Sequence, residues 1–400
     1  MTVASYSPGD VIIQEFTLSS PRGSLDLSLM YATIKIFESI FVPNAVLQAD
    51  IFDVNDALGN LNIIGEEEIK ITLGAPGGTM ASYTFALDTI SNQEAQGSTK
   101  SKLWTLHGVG QETMYSKTNF VQKSYDTDIS SIVQDIHSNF LMSTKNLITE
   151  ATSGTQKILI PNYDPFKAID MVRRRAVSTQ NQSSTFLYFE NALGMNFKTI
   201  EGMLKGGAIK SFVHQDAVGS SIFINTENNI ISYEVPQIAS STERVAMGGL
   251  KHRISTYNIR TRKYNFQDII PDFINAYNSG EFIAKYGSKY GKHSFIPVDT
   301  ANRPFTSIDT MTPQQLAYVA NMMQNQVKAK VYGDAIVKAG DTVQLNIPEM
   351  MNVTGPAPLD PQISGLFLVS RLCRNVATAQ EKPRYVENLE LMNGKLENSP

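Results

Sequence analysis

A chain of 400 residues exceeds the roughly 250 to 300 at which a single hydrophobic core stops growing, so about two to four domains are expected. With 18% charged residues and a net charge of −4 there is no strongly basic field for gripping nucleic acid, and the single cysteine, Cys373, excludes an intrachain disulfide or a multi-cysteine metal site. The opening MTVASYSPGD lacks a basic stretch followed by an apolar one, and no window approaches the ~20 apolar residues of a membrane span, so synthesis in a reducing cytoplasm without membrane insertion is expected.

Residues 10 to 118 read as β structure. In Glu68 to Leu73, Ile69, Ile71 and Leu73 alternate with polar residues, and Tyr83, Phe85 and Leu87 repeat that period between Met80 and Asp88. Val11 to Phe16, Ala32 to Phe37, Val46 to Phe52 and Leu103 to Val109 are further strands, spaced as in a small antiparallel barrel or sandwich. The segment Asp53 to Gly59 lacks the acidic spacing and closing glutamate of a calcium loop and reads as an Asx and glycine turn. Glu66 to Glu68 read as a solvated strand edge. Gly108-Val-Gly110 lacks the third glycine and the strand-to-helix context of a dinucleotide fingerprint.

From Tyr125 the period becomes helical: Ile129, Ile132, Val133, Ile136 and Phe140 mark one face, with Asp126 or Thr127 as cap. His137 falls off that stripe and is expected at the surface. Ser143 to Thr155 reads as a loop. The stretch Lys157 to Gly207 then carries the strongest local signals. An apolar run, Ile158 to Ile160, stops at Pro161; Asp164 is placed to cap a helix and Pro165 to occupy its first position. Phe166, Ile169, Val172 and Ala176 form the apolar face of that helix, and Arg173, Arg174 and Arg175 fan over the other faces. An aromatic strand, Thr185 to Glu190, a turn over Asn191 to Gly194 and a returning strand, Met195 to Ile200, make a hairpin.

Ala208 to Val235 returns to strand character, with Ile222, Ile224, Ile230 and Tyr233 as core positions. Residues 236 to 311 are broken by polar and glycine-rich runs and by Pro271, Pro297 and Pro304. Within them Lys251, His252, Arg253, Arg260, Arg262 and Lys263 interleave with Tyr257 and Tyr264, a pattern that can contact phosphates and bases; the alternation of Arg260 and Arg262 with Ile259 and Thr261 fits a solvated strand face better. Thr312 with Gln315, and Pro313, start a helix whose apolar face is Leu316, Val319, Ala320, Met323 and Val327. Strands follow at Lys328 to Tyr332, Val343 to Ile347, Leu366 to Leu372 and Tyr385 to Leu391, and AGDTVQLNI echoes GEEEIKITL near the start.

The order across Phe120 to Met203 (strand, short helix, extended run, Tyr-Asp-Pro, helix, aromatic strand, glycine turn, returning strand with Phe197) resembles the central domain of baseplate hub proteins from contractile-tailed bacteriophages, and the hub portion of the type VI secretion spike. The resemblance implies an α+β chain: two small antiparallel β-barrels near the two ends, a helix-plus-hairpin α/β domain between them, and a further irregular domain inserted before the second barrel's last strands. The corresponding boundaries are 1–118 for the first tube-like barrel, 119–206 for the central domain, 207–240 plus 328–400 for the second barrel, and 241–327 for the irregular or helical insertion. It also implies a homotrimer in the virion tail baseplate, joining a hexameric tail tube or its initiator to a trimeric central spike, with possible wedge contacts and with DNA only as passing cargo.

No catalytic, cofactor or metal residue stands out. G-x-S-x-G, H-E-x-x-H and G-x-x-x-x-G-K-[ST] are absent, and His107, His137, His214, His252 and His293 lie far apart. No enzyme activity and no cofactor are therefore expected. The alternative is a β-rich cell-wall hydrolase with paired carboxylates between the β blocks and the central domain, since such a pair leaves no local trace.

Overall fold

The computed structural model describes residues 6–53, 57–61, 63–96, 101–181, 183–214, 227–237, 252–258, 261–269, 292–298, 322–323, 325–349, 358–378 and 383–393, with single positions at 242, 246, 315, 318 and 319. The first block contains β1 (Ile12–Ser20), β2 (Gly23–Asp26), β3 (Tyr31–Ser39), β4 (Val46–Asp53), α1 (Ala57–Leu61), β5 (Glu68–Gly74), β6 (Met80–Gln96), β7 (Ser101–Gly110) and α2 (Gln111–Thr118). The alternation read from the sequence places Ile69, Ile71, Leu73, Tyr83, Phe85 and Leu87 in one core with Phe16, Ile36 and Leu47. Burying each side chain of this size contributes ~1.5 to 3 kcal/mol.

The central unit holds β8 (Val121–Thr127), α3 (Ile129–Asp135), a π-helical turn (Ile136–Phe140), β9 (Leu147–Thr149), β10 (Gln156–Tyr163), α4 (Pro165–Arg173), β11 (Phe186–Asn191), β12 (Gly194–Thr199) and α5 (Ile200–Leu204). Asp164 accepts the Lys167 amide at 2.9 Å with Pro165 at the first helical position, as the spacing predicts. Ala168, Ile169, Val172 and Ala176 are buried against Phe186 and Phe197, whose rings stack with centroids 4.6 Å apart. Gly194 closes the hairpin at φ 121, where a Cβ would meet the Asn146 carbonyl oxygen at 2.5 Å.

Several expectations change here. The cap of α3 is Asp128, one residue beyond the expected positions, accepting the Ser131 amide. The segment 143–155 is not all loop, because β9 pairs in parallel with β12. The π turn, closed by Leu141 N–H to the Ile136 carbonyl at 2.9 Å, inserts one residue into the helical period. His137 is thereby turned into the protein, where it is 2% exposed, and Leu141 takes a core place. Glu67 is buried as well, since its carboxylate accepts the Ile64 and Gly65 amides of its own entry turn. Asp53 is a helix cap: its oxygens accept the amides of Ala57 and Leu58 at 2.8 and 3.1 Å, and Gly59 lies inside α1.

The remaining strands are β13 (Ala208–Val213), β14 (Ile230–Gln237), β15 (His252–Asn258), β16 (Lys263–Ile269), β17 (Lys292–Val298), β18 (Asn325–Tyr332), β19 (Thr342–Asn346), β20 (Gly365–Thr378) and β21 (Pro383–Asn393). Strands β16, β15 and β17 form a separate three-stranded sheet in a region expected to be irregular. Arg262 is not on a strand face but in the turn before β16, at φ 54. Arg260, Ile222, Ile224 and the Thr312-Pro313 helix start lie outside the described residues. Gln315, Val319 and Met322 are helical, and the Met322 side chain is buried in a cluster with Ile40, Phe189, Met203, Leu368 and Met392.

The fold is α+β and rich in antiparallel strands. Among the described residues its two β blocks do not close into two separate barrels: one hydrogen-bonded path runs β14-β18-β21-β20-β3-β4-β7-β6-β5-β1-β2, with β13 and β19 attached through β20. The link is the antiparallel pairing of β3 with β20, in which Phe37 faces Cys373 and Ile36 faces Arg374. Each block encloses its own core, the second built on Phe212, Val331, Leu345, Phe367 and Leu391. Cys373 is partly buried, and burial pushes its thiol up to about 11, consistent with a packing residue.

Candidate functional site

Two buried polar junctions hold these units against one another. The first centres on Arg374 of β20, fully buried. Its Nε donates to the Tyr83 hydroxyl of β6 at 2.8 Å, Nη1 to the Tyr385 hydroxyl at 3.0 Å and to Glu387 of β21, and Nη2 to the Val337 carbonyl at 2.7 Å. Glu38 of β3 lies 3.8 Å from Nη2. Its carboxylate accepts from Tyr83 at 2.5 Å, from the Ala192 amide in the central hairpin turn at 2.9 Å and from the Ala339 amide in the second block at 2.8 Å. One carboxylate thus serves three units. Burial, opposed by Arg374, raises the Glu387 carboxyl, and burial also raises both tyrosines, which remain protonated donors.

The second junction lies between the first block and the central unit. Asn44 donates its amide to Glu112 of α2 at 3.0 Å and to Glu190 of β11 at 2.9 Å, while the Ala45 amide also reaches Glu190 at 3.0 Å. Lys145 bridges the same two carboxylates at 2.8 and 2.6 Å. Ser143 adds a hydrogen bond to Glu112 at 2.5 Å, and the Thr113 hydroxyl donates to Asn44 Oδ1 at 3.1 Å. His137 touches this junction through the Lys145 carbonyl at 3.0 Å and the Tyr188 hydroxyl at 3.1 Å.

Burial alone would lift the Glu112 carboxyl, but Lys145 and the Ser143 hydroxyl outweigh it and hold it below its ordinary value. Glu190 is raised, because its burial exceeds what Lys145 returns. Burial would lower Lys145, yet the two glutamates raise it, and burial keeps the His137 imidazole below its usual range.

Glu112 and Glu190 are one carboxylate pair lying between the first β block and the central unit, where the hydrolase alternative expects such a pair. Each is 2% exposed, and together they are filled by Lys145 and Asn44, so no sugar ring or attacking water has room between them. Gly110 explains the glycine pair beside α2: a Cβ there would overlap the Asn44 amide, and one on Gly108 would stand 3.0 Å from the Phe85 Cβ. These glycines permit close packing. The arginine run is partly neutralised, since Arg173 and Arg174 both pair with Asp170 and Arg173 also donates to the Phe186 carbonyl at 3.0 Å.

The shallow groove lined by Leu58, Ile63, Leu87, Ile90 and Trp104 carries one carboxylate, Asp88. No described helix is long and apolar enough to cross a membrane.

No protein-family model and no curated protein matches the sequence. Solved structures do match the fold. The tail protein from Neisseria meningitidis MC58 aligns with a TM-score of 0.60 at 9% identity, covering 95% of this chain and 96% of that one. The 43 kDa tail protein of prophage MuSo2 from Shewanella oneidensis gives 0.59 at 12%, covering 95% and 98%. A chain of the half-lidded Francisella PdpA-VgrG complex gives 0.50 at 9%, covering 96% of this chain and 59% of that one. At these identities the likeness is one of fold, and the resemblance carried by Phe120 to Met203 extends to nearly the whole chain.

Proposed function

We propose that the chain is a structural protein of a phage-type tail: a baseplate hub, trimeric, that joins a hexameric tube to a trimeric spike. The observation that carries this reading is the fold likeness to two tail proteins over at least 95% of all three chains. The mechanism is geometric. Three copies bearing two tube-like β modules each offer six similar positions to a sixfold tube on one face and only threefold symmetry to a spike on the other. In this reading the modules are residues 1–118 and 207–240 with 328–400, the central unit 119–206 supports them from outside, and 241–327 is an insertion. DNA passes through the ring without being held, and the protein resides in the virion tail. Buried junctions suit that role, because a hub must transmit load between its modules without shearing.

Sedimentation equilibrium and negative-stain imaging of the purified chain test the reading. The expected result is a threefold ring whose contacts map to 10–118 and 328–395. A monomer at assembly concentrations, both alone and with its spike partner, would overturn it.

A further inference from the structure

The Asn44-Lys145 junction has the composition of a site for self-made amide cross-linking. An amine, a carboxamide and two carboxylates are enclosed together. Asn44 is 6% exposed, Glu112 and Glu190 are 2% exposed, and the Lys145 side chain is 17% exposed. Lys145 Nζ and Asn44 Nδ2 approach the same oxygen, Glu112 Oε2, at 2.8 and 3.0 Å, and both also contact Glu190. The Asn44 carbonyl oxygen accepts from the Thr113 hydroxyl at 3.1 Å. A Cβ on Gly110 would overlap the Asn44 carboxamide, so glycine there leaves the room that this side chain occupies. The amine and the carboxamide thus converge on the same two buried carboxylates.

We infer that Lys145 and Asn44 form an intramolecular isopeptide bond, made by the folded protein and linking the first β block to the central unit. In the reaction the Lys145 ammonium gives one proton to Glu190, and the freed amine adds to Asn44 Cγ. The hydroxyl of Thr113 donates to the oxygen that gains negative charge. Glu112 takes a second proton from the attacking nitrogen and passes it to Nδ2. The Cγ–Nδ2 bond breaks, a Cγ–Nζ bond forms, and ammonia leaves with the proton held on Glu190, as ammonium. No oxidant or cofactor is required. The shared contacts to Glu112 and Glu190 hold amine and carboxamide in one enclosure, the condition for an amine to attack an amide at a useful rate, and the partly open Lys145 side gives ammonia its exit.

The test is the mass of the full chain purified in its folded state and then denatured. The expected mass is that of the sequence less one ammonia, with a branched tryptic peptide joining the Asn44 and Lys145 segments. In Glu112→Gln and Lys145→Arg the full mass returns and the branched peptide disappears. Full mass in the wild-type chain after prolonged incubation would overturn the inference. So would an ammonia loss that persists in Lys145→Arg, which would point to cyclisation of Asn44 onto its own backbone. Should the variants fail to fold, the wild-type digest decides alone: branched peptide present, or absent.

Discussion

The Glu38 carboxylate accepts the backbone N–H of Ala339 at 2.8 Å, across 301 residues of chain. The same side chain holds Ala192 and faces Arg374, so three segments that share no local sequence relationship depend on a single buried acid. Removing a partner from such a cluster is expected to cost far more than breaking a surface ion pair.

Replacing Arg374 with Met leaves Glu38 and Glu387 buried without their cation. The expected loss is about 3 to 5 kcal/mol, read as a lower urea midpoint. Tyr83→Phe removes one donor and leaves the ions in place, so its loss is expected near 1 to 3 kcal/mol. Equal losses would show that Arg374 acts through its packing and not its charge.

Asp164→Ala removes the cap that accepts the Lys167 amide. Melting should fall by the equivalent of about 0.5 to 2 kcal/mol, while assembly of the folded variant is unchanged. Unchanged melting with lost assembly would place Asp164 at an interface.

Asp128 gives a pH prediction. Burial would raise its carboxyl, but hydrogen bonds from Ser130, Ser131 and Thr127 outweigh this and bring it from 3.8 to about 2. The folded value lies below the unfolded one, so the stabilisation is present above the unfolded value and fades as pH falls toward the folded value. Urea midpoints of wild type and Asp128→Asn should therefore converge between pH 4 and pH 2, a window set by those two values. A constant gap across that window would exclude the carboxylate as its source.

On the proposed hub reading, the assembled ring should retain little DNA on a filter at low salt. Arg173 and Arg174 are already engaged by Asp170, and every additional phosphate contact would slow a passing polyanion. Submicromolar, salt-sensitive binding that vanishes when Arg173, Arg174 and Arg175 are replaced would sink the passive-conduit reading.

What could be read from the sequence is what neighbouring residues decide among themselves. Asp164 and Pro165 announce their helix because the cap, the first turn and the amide it accepts from lie within four positions, and the strand alternation at Ile69 and Tyr83 survives because one face meets a core. Helix α2 was unreadable: its buried positions are Glu112 and Ser116, so its inward face carries no hydrophobic period. The burial of His137 is not legible locally, because no residue type marks the π turn in which it lies. Neither junction was visible, since Asn44, Glu112, Lys145 and Glu190 meet only through the tertiary fold. The pairing of β3 with β20 is likewise a long-range choice among many compatible strands.

That pairing also governs the timetable of synthesis. A ribosome releases β3, which ends at Ser39, long before its hydrogen-bonding partner β20, which begins at Gly365. Throughout the interval the first block carries a bare strand edge, with the exposed Phe37 on that strand, of the kind that recruits other chains. That edge stays open to pairing with other chains until β20 has been made. Chains truncated before β20 should aggregate through the β3 edge, even though every strand of the first block is already present.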